Sequence, residues 1–475
     1  MRIPLDPDSP NPLYRQIAAH LRDSILSGNL PAGTRLPATR ALAADLGLNR
    51  LTVENAYSVL EADGLIAAQV GSGTYVLPLV VPAEKSGVPV APEADPGLPL
   101  EELSLGPAQP GLINFAAGTC DPRLFPVDDF RKTVQAVMRR DGTAALEYGD
   151  MRGYTPLRRT IAQVLASQGL RVAAEHLLVT SGSQQALALV AQTLLAPGDT
   201  VVVESPSYAW GLDLFRACGL RMVSVPTDEQ GMQVDRLEEI LRLEKPGLIY
   251  TIPNFQNPSG ICMSGARRRR LVALAAQVGV PVLEDDYVGD LRYDGHAQPA
   301  LKALDPGGGV IYVGTFSKML MPGLRVGYLA ADGALYDRLV ERKRLSDVAS
   351  SNLVQRALEA YVTVGRYQAH LRRSVQVYRR RRDRMVRALK DAWPAPVRIP
   401  QGGLFFWLEL PPGCSADDLL PIAAGKGLSF MPGGRYFVDP ARGARWLRLN
   451  FAASQPGEIE RGIGLLVEAL KELSG

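Results

Sequence analysis

Val310-Ile-Tyr-Val-Gly-Thr-Phe-Ser-Lys318 is the stretch on which the architecture of most of this chain turns. Its apolar run Val310–Val313, closed by a glycine, reads as a strand buried on both faces, the habit of parallel sheets covered by helices. Runs of similar length recur upstream at Leu177–Thr180, Thr200–Glu204, Leu248–Ile252 and Pro281–Glu284, with helical stretches between them. That alternation, from Leu112 onward, predicts an α/β fold on a mainly parallel sheet with helices on both faces. Ligands of such sheets gather beyond the carboxyl ends of the strands, and Lys318 follows its strand directly. A lysine among apolar neighbours and other cations loses its proton more readily and can condense with an aldehyde. A lone lysine is otherwise a solvated surface group.

Other segments of this region place polar groups where strands end. Leu283-Glu-Asp-Asp-Tyr287 closes a buried strand with adjacent acids that need a partner. A protonated cofactor ring nitrogen is one such partner, and Tyr287 could donate to an oxygen beside it; the alternative is an acidic surface turn. Thr180-Ser-Gly-Ser-Gln-Gln-Ala186 opens a helix whose free N–H groups suit a phosphate, or simply caps it. In the turn-rich loop Pro253-Asn-Phe-Gln-Asn-Pro-Ser-Gly260, Asn257 could donate its amide to an oxygen. Arg325 lies seven residues past Lys318, beyond Pro322-Gly323, so a loop that turns back brings its guanidinium to the same phosphate.

Residues 1–77 read as a separate unit. Asn11-Pro12 opens a helix with Leu13, Ile17, Leu21 and Ile25 at helical spacing, ended by Gly28. Thr39–Leu46 is a second helix that stops at Gly47, and a third runs from about Leu51 to Asp63. Leu65–Gln69 and Thr74–Leu77 flank Gly71-Ser-Gly73 as a hairpin. Three helices and a hairpin in this order predict a winged helix-turn-helix, in which the second helix of the motif enters the major groove. Arg50 and Thr52 project from the start of that helix, Arg40 sits on the helix before it, and Gly71 at the wing tip lets the main chain approach a phosphate. Arginine suits guanine or phosphate through paired hydrogen bonds. With six arginines against seven carboxylates in 1–77 the unit is no basic patch, and a protein-interaction module is the alternative.

The 475 residues suit about three domains, or one large and one small. With 46% hydrophobic and 21% charged residues, disorder and fibre are excluded, and a net charge of +3 argues for no partner. Residues 78–110 hold eight prolines and read as a stiff, extended linker. Cys120, Cys218, Cys262 and Cys414 form no CxxC pair, which excludes a zinc ribbon and a disulfide scaffold and fits a reducing cytosol. No basic-then-apolar opening and no membrane-length apolar run are found, so a cytoplasmic protein without a membrane partner is expected. His20, His176, His296 and His370 are scattered without ligand spacing, and no metal site is expected.

In the N-terminal unit, Pro12-Leu-Tyr-Arg-Gln-Ile17, Gly33-Thr-Arg-Leu-Pro37, Thr39-Arg-Ala-Leu-Ala43 and Gly71-Ser-Gly-Thr-Tyr75 together resemble the DNA-binding domain of the GntR family of bacterial regulators. The resemblance implies an operator in double-stranded DNA contacted by Arg40 and Arg50, with Gly71 in the wing. Glu54, one turn after Arg50, departs from members that carry another arginine there. From Ile113 onward, the ordered set Ser-Gly-Ser-Gln-Gln, Asn-Pro-Ser-Gly, Asp-Asp-Tyr, Ser-Lys and Pro-Gly-Leu-Arg resembles the fold type I, pyridoxal-phosphate-dependent aminotransferases, particularly those acting on aminoadipate and kynurenine. That resemblance implies pyridoxal 5'-phosphate as cofactor, with Lys318 in the internal aldimine, Asp285 (or Asp286) on the pyridine nitrogen, and Asn257 and Tyr287 on the phenolic oxygen. Ser183, Gln184, Thr315, Ser317 and Arg325 then take the phosphate and Tyr208 stacks on the ring. Tyr148 reaches the phosphate of a second subunit, and Arg448 takes the substrate or effector carboxylate; an ordinary strand-edge arginine is the alternative for Arg448.

Both halves and the linker together are similar to the MocR (GabR-like) regulators. The implied layout is a winged helix at 1–77, a linker at 78–110 and an aminotransferase-like domain at 111–475, with a large part at about 150–345 and a small part at about 111–149 and 346–475. It also implies a head-to-tail, domain-swapped homodimer. The fusion favours a transcriptional regulator that senses pyridoxal phosphate, or an amine that reacts with it, over an enzyme. A working aminotransferase with a DNA-binding appendage, or a scaffold with a vestigial site, are the other readings. Arg267–Arg270, and Arg372 to Arg387 with eight arginines in sixteen positions, read as solvated helix faces or, alternatively, as a nonspecific DNA track.

Overall fold

The computed structural model describes residues 3–7, 9, 11–69, 72–78 and 111–474. Gly71 and residues 79–110 of the expected linker lie outside them. The chain divides into two compact units, Met1–Pro96 and Gly97–Gly475.

In the first unit the helices Leu13–Leu26, Thr39–Leu46 and Arg50–Ala62 precede an antiparallel pair, Ile66–Gln69 and Gly73–Val76, with Ile66 opposite Val76. Ile17, Leu21, Leu42, Val53, Leu60 and Ile66 are buried together between them. Gly47 ends the second helix at φ 65°, a left-handed conformation that glycine adopts without strain. Asn49 then caps the third helix by accepting from the Leu51 N–H. The opening of the first helix differs from expectation: Pro12 itself is the N-cap, with no side-chain capping bond, and Asn11 stands outside the helix.

The second unit is built on an eight-stranded sheet. Its order is Leu177–Thr180, Gly327–Ala330, Val310–Thr315, Val282–Asp286, Leu248–Thr251, Thr200–Ser205, Arg221–Asp228 and Gly231–Met232. Neighbours from Val310–Thr315 to Arg221–Asp228 are parallel, whereas Gly327–Ala330 runs antiparallel to both of its neighbours. Six strands therefore point their carboxyl ends the same way. A smaller antiparallel sheet joins Phe405–Glu409, Trp446–Asn450 and Met431–Pro432. Ile113–Asn114 pairs in parallel with Leu428–Ser429, which ties the beginning of this unit to its end. The long helix Arg366–Ala392 packs against Pro456–Ser474.

The arginine-rich stretches are solvated faces only in part, since Arg268, Arg381 and Arg382 are buried in the fold. Arg267 meets both oxygens of Asp228 at 2.6 Å. Arg268 is fully buried and donates to the carbonyls of Met263, Pro299 and Pro253, while Arg270 pairs with Asp235 and Glu238. On the long helix, Arg381 is buried against Asp121 at 2.6 Å and Arg382 against Asp294 at 2.7 Å and the Pro400 carbonyl. Arg379 shares Asp294, and Arg384 pairs with Glu460. These charges are spent inside the fold or on neighbouring carboxylates, whereas Arg269, Arg372, Arg373, Arg380 and Arg387 are exposed, as solvated faces require. Among the described residues no helix is long and apolar enough to cross a membrane.

Candidate functional site

The aligned carboxyl ends of the sheet open into a cavity of about 240 Å³. Ser183, Tyr208, Asn257, Asp285, Tyr287, Lys318 and Arg448 all line it, delivered by several different strands and the segments that follow them. The loop Asn114–Thr119 closes the same cavity from the other side.

Lys318 Nζ donates to the Gly118 carbonyl at 2.7 Å. Removal from water, reinforced by Arg448 and Arg325, lowers its pKa to about 8. Asp285 is 3% exposed; its Oδ2 accepts from the Tyr250 hydroxyl at 2.8 Å, while Oδ1 is buried with no partner. Burial, aided by the neighbouring Asp286, raises the Asp285 pKa to about 7. Strand alternation turns Asp286 to the opposite side of the sheet. There it accepts from Asn254 at 3.1 Å and from Tyr312 at 2.8 Å, in a separate small cavity with Asp290. Of the two adjacent acids, only Asp285 lines the main cavity.

The helix Ser183–Leu194 begins at Gly182, whose φ is 95°. A Cβ on Gly182 would lie 2.5 Å from Arg325 Nη2, so the glycine allows a guanidinium to sit against a helix start. Arg325 donates to the Ser181 carbonyl at 3.0 Å. Ser317 Oγ is buried without a partner. Thr315 Oγ1 is engaged twice, donating to the Val326 carbonyl and accepting from the Ser317 N–H. The Gln184 amide donates to the Trp210 carbonyl at 3.1 Å, leaving its oxygen buried and unpaired. Gln184, Thr315, Ser317 and Arg325 thus stand around the helix start rather than in the cavity wall.

Arg448, 4% exposed, is held on both sides. It donates to Asn257 Oδ1 at 3.2 Å and to the Ala116 carbonyl at 2.8 Å, and lies over the Phe405 ring at 4.0 Å. Among the described residues no carboxylate partners it, and its Nε is buried unpaired. Tyr287 donates to the Phe255 carbonyl at 2.8 Å. Tyr148 stands apart from the cavity at 89% exposure, in a surface depression with Ser350 and Asn352. In the first unit Arg40 and Arg50 are exposed and Thr52 is half-buried. Arg50 Nε is bonded to Glu54 at 2.5 Å, so the carboxylate that departs from the GntR pattern holds the arginine beside it.

Several groups at the cavity carried no sequence signal. Tyr250, which holds Asp285, was hidden inside an apolar strand run. Trp210, at the start of the helix Ala209–Ala217, and Arg435 and Tyr436, in the turn Gly433–Tyr436, line the wall from segments whose folding back no local pattern reveals. Cys120, buried and donating to the Lys318 carbonyl at 2.7 Å, has its thiol pKa raised by burial to about 11.

Comparison with known proteins agrees with this division. Residues 110–466 match the aminotransferase class I and II family, and residues 13–76 match the gntR family of bacterial regulatory proteins. The chain is 34% identical to the uncharacterized HTH-type transcriptional regulator YdcR of Escherichia coli, over 97% of this chain and 98% of that one. It is 31% identical to the probable rhizopine catabolism regulatory protein MocR of Rhizobium meliloti, over 99% and 96%. Among solved structures, the α-aminoadipate aminotransferase LysN of Thermus thermophilus superposes with a TM-score of 0.71 at 37% identity, covering 77% of this chain and 93% of that one. Fold and site thus define a DNA-binding helix-turn-helix fused to an aminotransferase-type domain. The chain belongs to the aminotransferase class I and II family and, through its N-terminal unit, to the GntR family, in the fused form shared with MocR.

Proposed function

We propose that this protein is a pyridoxal-phosphate-dependent transcriptional regulator, which binds an operator through the winged helix and senses the cofactor, or an amine that reacts with it, in the large unit. One observation carries the reading: full-length relatives are named as regulators, whereas the aminotransferase LysN covers 77% of this chain. The residues present fit the cofactor. Asp285 Oδ1 and Ser317 Oγ are buried polar atoms without protein partners, and the bare backbone of Gly182 lets the Arg325 guanidinium stand at a helix start.

Bound pyridoxal phosphate supplies an aldehyde carbon and a protonated ring that withdraws electrons. Lys318 Nζ is the amine poised for that aldehyde, and its lowered pKa keeps a useful fraction neutral. Asp285 holds a proton on the ring nitrogen, and the Tyr250 hydroxyl fixes the carboxylate that does so. Tyr208 offers a stacking face, and Asn257 and Tyr287 take the ring oxygen. Ser183, Ser317 and Arg325 donate to the phosphate. Gln184 does so through its backbone N–H, since its side chain has only an oxygen left, and Thr315 orients the Ser317 N–H. Arg448 takes the effector carboxylate. Tyr148, far from its own cavity, serves a second copy in a head-to-tail, domain-swapped homodimer. Arg40, Arg50 and Thr52 face the DNA, and Gly71, outside the described residues, is assigned to the wing by the resemblance alone.

A sensor needs only a difference in effector affinity between two conformations, not turnover. Absorbance of the purified full chain, read before and after a panel of amino acids and amines and then a keto acid, tests the reading. A persistent spectral change with one amine is expected. Cycling of the cofactor when the keto acid follows would make the protein an aminotransferase with a DNA-binding appendage.

A further inference from the structure

A second arginine opens into the cavity that contains Arg448. Arg435 sits in the turn Gly433–Tyr436, directly after the strand Met431–Pro432. Met431 is the register partner of Arg448 on the adjacent strand, and Met431, Arg435, Tyr436 and Arg448 all line the cavity. Two guanidiniums therefore reach one space from neighbouring segments of the small sheet.

Their surroundings differ. Arg448 has two of its nitrogens committed to a carbonyl and to Asn257. Arg435 has Nη1 3.7 Å from the sulfur of Met431, a weak acceptor, while Nε and Nη2 are buried without any hydrogen-bond partner. Nε and Nη2 form one edge of the guanidinium, the edge that takes a carboxylate side-on through two parallel hydrogen bonds. The wall behind is aromatic: Tyr436 and Phe437 cluster with Trp210, and Trp407 stacks on Trp446 at 5.4 Å. A cation withdrawn from water among rings, with its bidentate edge unpaired, lacks an anion that the fold does not supply.

We propose that Arg435 is a specificity-determining residue for a second acidic group, so that the effector is an amino acid with an acidic side chain. This rests on the reading that Arg448 takes one carboxylate of an amine effector. A ligand with a single acid leaves the Arg435 edge unmet, which selects against it as strongly as the pairing selects for the diacid.

Diacids without an amine test this apart from any cofactor chemistry. Succinate, glutarate and adipate are titrated calorimetrically into the full chain, each against its own monoamide. At least one diacid binds about tenfold or more tightly than its monoamide, the scale of one charge-assisted hydrogen bond. R435M brings that ratio close to one, and R435K keeps part of it. Equal binding of diacids and monoamides by the natural chain, or an undiminished ratio in R435M, overturns the proposal. In parallel, the cofactor-loaded chain is titrated with L-glutamate and L-glutamine by absorbance, where the acid is expected to act at lower concentration. A chain that forms no visible cofactor band yet keeps the diacid preference overturns the cofactor reading and supports the role of Arg435.

Discussion

Arg50 in the winged-helix unit and Arg448 in the large unit are held in opposite ways. Arg50 is exposed and bonded to Glu54 on its own helix, whereas Arg448 is 4% exposed and held by uncharged acceptors with one nitrogen unmet. An exposed arginine only exchanges partners when its ligand arrives. A buried one surrounded by dipoles keeps a field that a ligand can still neutralise. The candidate ligand site of the large unit is thus distinguished by groups the fold leaves unsatisfied, Asp285 Oδ1 and Ser317 Oγ among them. The N-terminal unit marks its site only by which side chains stand out from a helix.

The strongest test of that contrast is Lys318→Ala. The chain should fold as before, by far-ultraviolet circular dichroism, and lose the visible absorbance band on addition of pyridoxal phosphate completely. A surviving lysine-type band would move the site elsewhere. In the natural chain the band should form faster as pH rises, levelling above about 8, because the neutral amine of Lys318 is the reactive form. Well below that pH the rate should fall about tenfold per unit. A profile still climbing near pH 10 would mean an ordinary solvated lysine. The same shift has a stability sign: between about 8 and the usual 10.5 the unfolded chain binds more protons at this group, so Lys318 makes the cofactor-free fold more stable as pH rises through that window.

Arg381→Met extends the contrast to structure. Asp121, 1% exposed, would keep only Arg123, and removing one partner of a buried pair costs about 3–5 kcal/mol. Denaturant unfolding of the large unit reads this loss. The same variant should leave the salt slope of DNA binding unchanged, since its charge never faces solvent. A loss under about 1 kcal/mol would return Arg381 to the surface.

These residues also show how far the sequence could be read. The five fully apolar strands, the helix at Ser183 and the Lys318 turn were legible because burial on both faces leaves an unbroken apolar run. Arg221–Asp228 was not, since its exposure varies along the strand, and Gly327–Ala330 follows a Pro-Gly turn that masks it. The acid register was open in sequence, because only the pleat separates Asp285 from Asp286. Arg381 and Arg268 were misread: an arginine-rich run looks solvated until the carboxylates and carbonyls that absorb it, distant in sequence, are folded against it. Arg435 had no local signal at all.

In the N-terminal unit the effects are smaller. Arg50→Ala should weaken binding to a duplex selected from a random-sequence pool by about 1–3 kcal/mol, as one base-reading arginine does. Cofactor binding should not change, and fluorescence anisotropy with an absorbance control separates the two. Equal affinity of the natural chain for selected and random duplexes would remove base reading from this helix.

Glu54→Ala is the smallest and most discriminating change. The Arg50–Glu54 pair is half-exposed and one helical turn apart, a geometry that contributes only about 0.2–0.5 kcal/mol. DNA must break that pair to engage Arg50, and it also brings phosphates towards the Glu54 carboxylate. Both terms oppose binding, so removing Glu54 should tighten the selected duplex by about two- to fivefold at low salt, with the gain fading as salt screens it. Unchanged base preference then identifies Glu54 as a restraint on Arg50. If the variant instead binds more weakly and loses selectivity at one position, Glu54 accepts from a cytosine amino group. In that case the contrast with Arg448 narrows, because the surface pair would itself be a reading element whose two charges face different bases.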